Sequence, residues 1–260
     1  MMLKSIIIAF STYSKIPMPR FEWKREDMKY TMCAFPLVGA VVAAAELAAY
    51  VMLTRSGTGY FLTAVIMTLI PLLITGGIHM DGYMDTWDAL CSYGDREKKL
   101  EILKDPHVGA FAVIHCACYI MLTTALWHEL ISRIGDGRAG VMDLYMALSG
   151  FILSRILSGL LAVTLRKAKR EGMLNDMTEE PDNKCRVILL LILAAFISAV
   201  IYFFGVHAVT FMIPAVPITL CYRYMSYKRF GGITGDLAGW FLQVSELAVP
   251  VSVLIAVNCR

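Results

Sequence analysis

Charge is scarce in this chain: only 17% of its 260 residues are Asp, Glu, Lys or Arg, against 58% that are hydrophobic, and the mean hydropathy is +0.62. That balance excludes a soluble globule of ordinary make-up. The seven cysteines (33, 91, 116, 118, 185, 221 and 259) are odd in number, scattered and without C-x-x-C spacing. They argue against a disulfide framework and a zinc site, and most read as small apolar packing residues. A net charge of +3 is too small to point to nucleic acid, and the basic residues lack the aromatic interleaving of a single-strand groove. Repeats, low-complexity stretches and linkers are missing too, so 1–260 reads as one integral-membrane domain. A cleavable signal is not expected, because the apolar run at 6–10 is short and meets Lys15, Pro17 and Pro19. The start reads instead as a short interfacial or re-entrant helix.

What is abundant is apolar sequence in lengths that suit a bilayer. Spans are expected near 33–54, 58–78, 109–130, 142–165, 187–205, 207–222 and 238–257. The fold class is therefore an all-α polytopic membrane protein with about seven transmembrane helices, between six and eight. The fifth and sixth spans meet at Gly205 and His207 with almost no loop, and Pro214 and Pro217 make the sixth short, kinked or re-entrant. Of the 24 Lys and Arg, 18 fall in the segments 11–32, 79–108, 166–186 and 223–236, whereas the other side has Arg55, Arg133, Arg138 and Arg260. Positive residues stay inside, so the first group of loops is expected in the cytoplasm.

The most informative stretch is HMDGYMDTWD, residues 79–88, at the inner end of an apolar helix. In a helix Asp81, Asp85 and Asp88 stand at i, i+4 and i+7, within roughly 60° of one another. Adjacent ionised pairs at that spacing repel by roughly 3 kcal/mol at an effective dielectric near 20. Such a cluster calls for a counter-charge, and oxygen-only ligands point to a hard cation, Mg²⁺ with substrate phosphates being the usual solution. The alternative is a set of solvated acids at a helix end. Gly82 leaves backbone uncovered beside the first acid. His79, about 200° from Asp81, faces away from that metal and is kept as a substrate contact.

The other motif-like segments lie on the same side. In 11–27, Pro17 and Pro19 hold the backbone extended between Lys15 and Arg20, which hold either a phosphate or anionic headgroups. In 94–111, Leu100 and Leu103 mark an amphipathic cytoplasmic helix on the membrane surface, with Arg96, Lys104 and Asp105 as functional candidates. Arg155 sits inside a predicted span, where an arginine costs at least about 2.5–3.5 kcal/mol, so it serves either a site or a structural ion pair. The basic exit at 165–172 adds Arg170 and Glu171. In GGITGD, residues 231–236, Gly231, Gly232 and Gly235 let backbone N–H groups approach an anion, while Thr234 and Asp236 offer oxygen ligands. Glu246 is a buried acid needing a partner, as is Glu46, which lies too near the far end of its helix to join the site.

Taken together, FSTYSKIPMP, GGIHMDGYMDTWD, LEILKDPHVGAF, SR before REG, and GGITGD resemble, in order and over nearly the whole chain, the cobalamin synthase family, also called adenosylcobinamide-GDP ribazoletransferase. Ala89, Pro106 and Ala112 depart from residues common in that family, and residues 173–176 follow its glycine-rich continuation only loosely. The resemblance implies a Mg²⁺-dependent transferase of the cytoplasmic (inner) membrane, its active site on the cytoplasmic side, that joins adenosylcobinamide-GDP to alpha-ribazole or its 5'-phosphate and releases GMP. It implies Asp81, Asp85 and Asp88 as metal ligands, one of them or Asp236 as general base, and Arg155, Lys104 and the 231–235 backbone as phosphate holders. The expected partners are those two substrates and the lipid bilayer, with no nucleic acid. A homo-oligomer is compatible with a small membrane enzyme, though no motif specifies one. A CDP-alcohol phosphotransferase is the nearest rival, but its D-G-x-x-A-R signature is missing. A secondary transporter is the rival from another class, and no inverted repeat supports it.

Overall fold

The computed structural model describes residues 2–168, 177–178 and 183–259. All regular elements among them are helical, and strand-like pairing is limited to one isolated parallel bridge between Lys167 and Ile233. In chain order they are α1 (Met2–Tyr13), α2 (Arg25–Met28), α3 (Thr31–Arg55), α4 (Tyr60–Thr75), α5 (Ile78–Cys91), α6 (Arg96–Ile102), α7 (Ala110–Gly135), α8 (Val141–Thr164), α9 (Asn183–Phe204), α10 (Ala215–Met225) and α11 (Gly235–Asn258). Among the described residues, α3, α7, α8, α9 and α11 are each long and apolar enough to cross a membrane. At 1.5 Å per residue they reach about 33–39 Å, enough for the hydrocarbon core. The chain is a polytopic all-α membrane protein.

The second expected span is a broken one. α4 and α5 meet at 95° and make a sixth span if counted together. Gly76 and Gly77 cause the bend: both have positive φ, 64° and 77°, a region other residues avoid. Their N–H groups donate to the Leu73 and Leu72 carbonyls, closing α4 as a left-handed cap.

The sixth expected segment is not one helix. It runs as a 3-10 stretch (Val206–Met212), then α10, then a π turn (Ser226–Phe230). Ala208 and Phe211 pack with Val253 and Leu254 at the far end of the bundle, whereas Tyr222 and Phe230 pack with Met80 and Leu237 at the end that holds the aspartates. Gly205 at φ 80° and Pro214, which has no N–H to donate, interrupt the ladder between.

α8 and α11 form the centre, with buried residues along their length. α1 does not cross; Phe10 lies in a cluster with Phe35, Val38 and Leu242. α6 also turns inward. Its neighbour Leu103 is buried in the cluster with Tyr222 and Phe230, and Lys99 reaches under α5, its ammonium donating to the carbonyls of Ala89 (2.6 Å), Leu90 (3.3 Å) and Ser92 (2.8 Å). A lysine thereby occupies the negative end of a helix dipole. Burial, with Arg229 nearby, pulls its pKa below that of an ordinary lysine. The expected membrane-surface helix is thus docked on the protein itself.

Candidate active site

The site starts from a close crossing of α5 over the first turns of α11. A Cβ at Gly82 would stand 2.8 Å from Asp236 Cα, and one at Gly239 would stand 2.7 Å from the His79 carbonyl oxygen. Only glycine permits the approach. It brings Asp81 and Asp236, 155 positions apart in the sequence, to one cavity of about 200 Å³. Tyr13, Phe35, His79 and Ser158 line the same cavity.

The three spaced aspartates lie on α5 as expected, but they do different things. Asp88 is engaged: one oxygen accepts from Gly109 N–H at 2.7 Å and the other from Ala112 N–H at 2.8 Å, so it caps α7 across a loop. A carboxylate at a helix N-terminus is stabilised by unpaired N–H groups and the dipole. Gly109 has to be glycine, since a Cβ there would run into the Asp88 carboxylate. Asp81 is exposed and Asp85 half-buried, and neither carboxylate has a hydrogen bond or ion pair among the described residues. The like charges acting on Asp85 are Asp81, Asp236 and Asp88. No group of three or more His, Cys, Asp or Glu side chains converges on a metal position among the described residues. The three aspartates thus stand as two open carboxylates, Asp81 and Asp85, and one, Asp88, engaged by α7, with Asp236 across the crossing. That oxygen-only set suits Mg²⁺, which typically takes one or two carboxylates and completes its shell with water and phosphate.

The glycine loop is built for shape. The N–H groups of Gly231 and Gly232 both donate to Ser226 O, and Ile233 N–H donates to Arg166 O. Those N–H groups are therefore not the anion cradle expected from the sequence. Gly231, at φ 77°, gives room to the Arg96 guanidinium, whose Nε donates to Phe230 O at 2.9 Å. Gly232 abuts the backbone of Lys167 and Ala168. Thr234 caps α11 by accepting from Leu237 N–H at 3.2 Å, and its hydroxyl lies 3.4 Å from Asp236. The free end of the α11 dipole, at Gly235 and Asp236, opens onto the cavity.

Lys15 lies at the rim of the α4–α5 bend: its N–H donates to Ile74 O at 2.7 Å and its side chain rests on Gly76. Lys15, Arg20 and Lys104 are exposed. Asp105 is turned onto His107, whose backbone and ring N–H groups hold its carboxyl below the usual carboxylate range, so it shapes its own loop. Arg155 is 1% exposed and ion-paired with Glu246, with further bonds to Phe151 O and Ser154 Oγ. Of the two uses left open for Arg155, the geometry takes the structural pair; neither it nor Glu246 lines the cavity. Arg170 and Glu171 lie outside the described residues.

Sequence reasoning missed Tyr13, Phe35 and Ser158, which come from α1, α3 and α8 and have no spacing relation to the acids. His79 was read as facing away from Asp81, yet both border the cavity, because the bend tucks the start of α5 against α11. A larger cavity, about 840 Å³, sits at the far end among Met142, Phe203, Ile213 and Ile255 and has no charged residue on its walls.

Comparison with known proteins places the chain in a family. The family model described as cobalamin-5-phosphate synthase (CobS) matches residues 5–254. A protein of Lachnoclostridium phytofermentans named adenosylcobinamide-GDP ribazoletransferase is 37% identical, covering 98% of this chain and 94% of its own. Proteins with the same name are 30% identical in Clostridium botulinum (95% of each chain) and 28% identical in Treponema denticola (95% of this chain, 96% of that one). No solved structure matches. With the match running from α1 to α11, the chain belongs to the cobalamin-5-phosphate synthase (CobS) family.

Proposed function

We propose that the chain joins adenosylcobinamide-GDP to alpha-ribazole, or to its 5'-phosphate, releasing GMP and completing the nucleotide loop of a cobalamin, on the cytoplasmic face of the inner membrane. The observation that carries this is the pair of acids 155 positions apart, Asp81 and Asp236, bordering one cavity in a member of this family.

The ribazole hydroxyl oxygen attacks the phosphorus on the cobinamide side of the pyrophosphate. A new P–O bond forms, the P–O bond to GMP breaks, and GMP departs with the bonding electrons. The hydroxyl proton passes to a carboxylate, for which Asp81, Asp85 and Asp236 are the candidates. Asp81 and Asp85 would hold Mg²⁺, which when bound neutralises the pyrophosphate oxygens. Lys15, Arg20 and Lys104 are the open cations for the phosphates, and Arg96 steadies the 231–236 loop through Phe230.

Purified protein in liposomes, given both substrates and Mg²⁺, is expected to yield GMP and cobamide in equal amounts, and EDTA is expected to stop both. GMP without cobamide would make it a hydrolase, and neither product would sink the reading.

A further inference from the structure

The reaction has two substrates of very different size, and the cavity beside Asp81 and Asp236 is small. At about 200 Å³ it falls below the roughly 300–1,000 Å³ that encloses a drug-sized ligand. It has room for one ring system, not for a corrin macrocycle or a whole guanosine nucleotide. Its walls are apolar, formed by Met32, Phe35, Ala162 and Leu242, and the two carboxylates stand on its lining.

Among the buried side chains with an unpaired polar atom, His79 is the one that lines this cavity. His79 is 4% exposed and lines this cavity, held by ring stacking on Tyr13 (centroids 5.8 Å apart, planes at 24°), yet neither of its ring nitrogens has a hydrogen-bond partner among the described residues. A buried polar atom left unsatisfied costs about 1–3 kcal/mol, so such atoms are normally paired, by a ligand if not by the protein. A mostly apolar slot with an unpaired imidazole on its wall suits a flat, mostly apolar heterocycle that has one free ring nitrogen. The benzimidazole of alpha-ribazole is such a ring: one nitrogen bears the ribose, the other is unsubstituted, and the edge carries two methyl groups.

We propose that this cavity receives the base of the ribazole substrate. Phe35 and Leu242 enclose the ring, a His79 ring N–H donates to its free nitrogen, and the ribose hydroxyl emerges between Asp81 and Asp236, while adenosylcobinamide-GDP stays outside, over Lys15. The assignment rests on the transfer reaction proposed above.

The test compares alpha-ribazole with its indole analogue, in which the free ring nitrogen is replaced by C–H. The wild-type protein is expected to use the analogue with kcat/KM at least tenfold lower, and His79→Ala is expected to reduce that discrimination to less than threefold. Ala162→Leu, which narrows the slot, is expected to raise KM for alpha-ribazole at least tenfold and leave KM for adenosylcobinamide-GDP within twofold. If the wild type transfers both bases equally well, or if Ala162→Leu raises KM for adenosylcobinamide-GDP instead, this assignment is overturned while the transferase reading stands. A wild type with no transfer to either base overturns the transferase reading itself. Should a variant fail to fold, the wild-type comparison alone decides.

Discussion

A carboxylate that already accepts two backbone N–H bonds has less to offer a ligand than one that accepts none, and α5 holds both kinds. Asp88→Asn is expected to lower the thermal midpoint in detergent, corresponding to about 1–2 kcal/mol from the weakened α7 cap, while keeping most of the Mg²⁺ affinity. Asp81→Asn and Asp85→Asn are expected to cut turnover by about 100-fold or more with little change in that midpoint. Equal activity losses at all three positions would restore the three-ligand cage. The Arg155–Glu246 pair makes the opposite prediction: Arg155→Ala should destabilise by about 3–5 kcal/mol, since it strands a buried charge, and the double variant Arg155→Met, Glu246→Leu should recover much of that. The helical spacing of the three aspartates was legible in the sequence. The use of Asp88 was not, because its partners come from 21 and 24 residues downstream, across a loop whose path no periodicity encodes.

At the scale of the element, the site depends on how closely two helices cross. Gly82→Ala would press a methyl against the Asp236 backbone and push α5 from α11. A displacement near 1 Å at a catalytic centre costs up to about 100-fold, so activity is expected to fall by that order while membrane insertion persists. Gly59→Ala, where a Cβ meets nothing within 4 Å, is the matched control and should be silent. Activity assays on membranes containing equal amounts of each protein check both. The apolar runs announced the spans, since length and hydropathy are local properties. The breaks were half legible: Pro214 and Gly205 warned of an irregular sixth segment, but the two glycines that bend the second span were read as part of its motif. α6 was expected on the membrane surface because amphipathicity reports an apolar face without saying what covers it.

For the whole molecule, sidedness is the quantity still to be measured. With the exposed cysteines replaced by serine, Tyr93→Cys, at a fully exposed loop beside α6, is expected to resist a membrane-impermeant maleimide in intact cells, and Ser56→Cys, between α3 and α4, to react. The reverse pattern would invert the topology. Arg133 and Arg138 pair with Glu129 and Asp136 at the far end, so Arg133→Gln and Arg138→Gln should leave turnover within about twofold.

The placement of the first and last helices has a consequence for reporters. Ser5 of α1 donates to the Asp27 carbonyl, just ahead of Met32 on the cavity wall, whereas Asn258 accepts from Arg133 at the far end, so α1 and the last turn of α11 stand at opposite ends of the bundle. A phosphatase reporter joined after Asn258 should be active outside the cytoplasm, and a fluorescent protein placed there should stay dark.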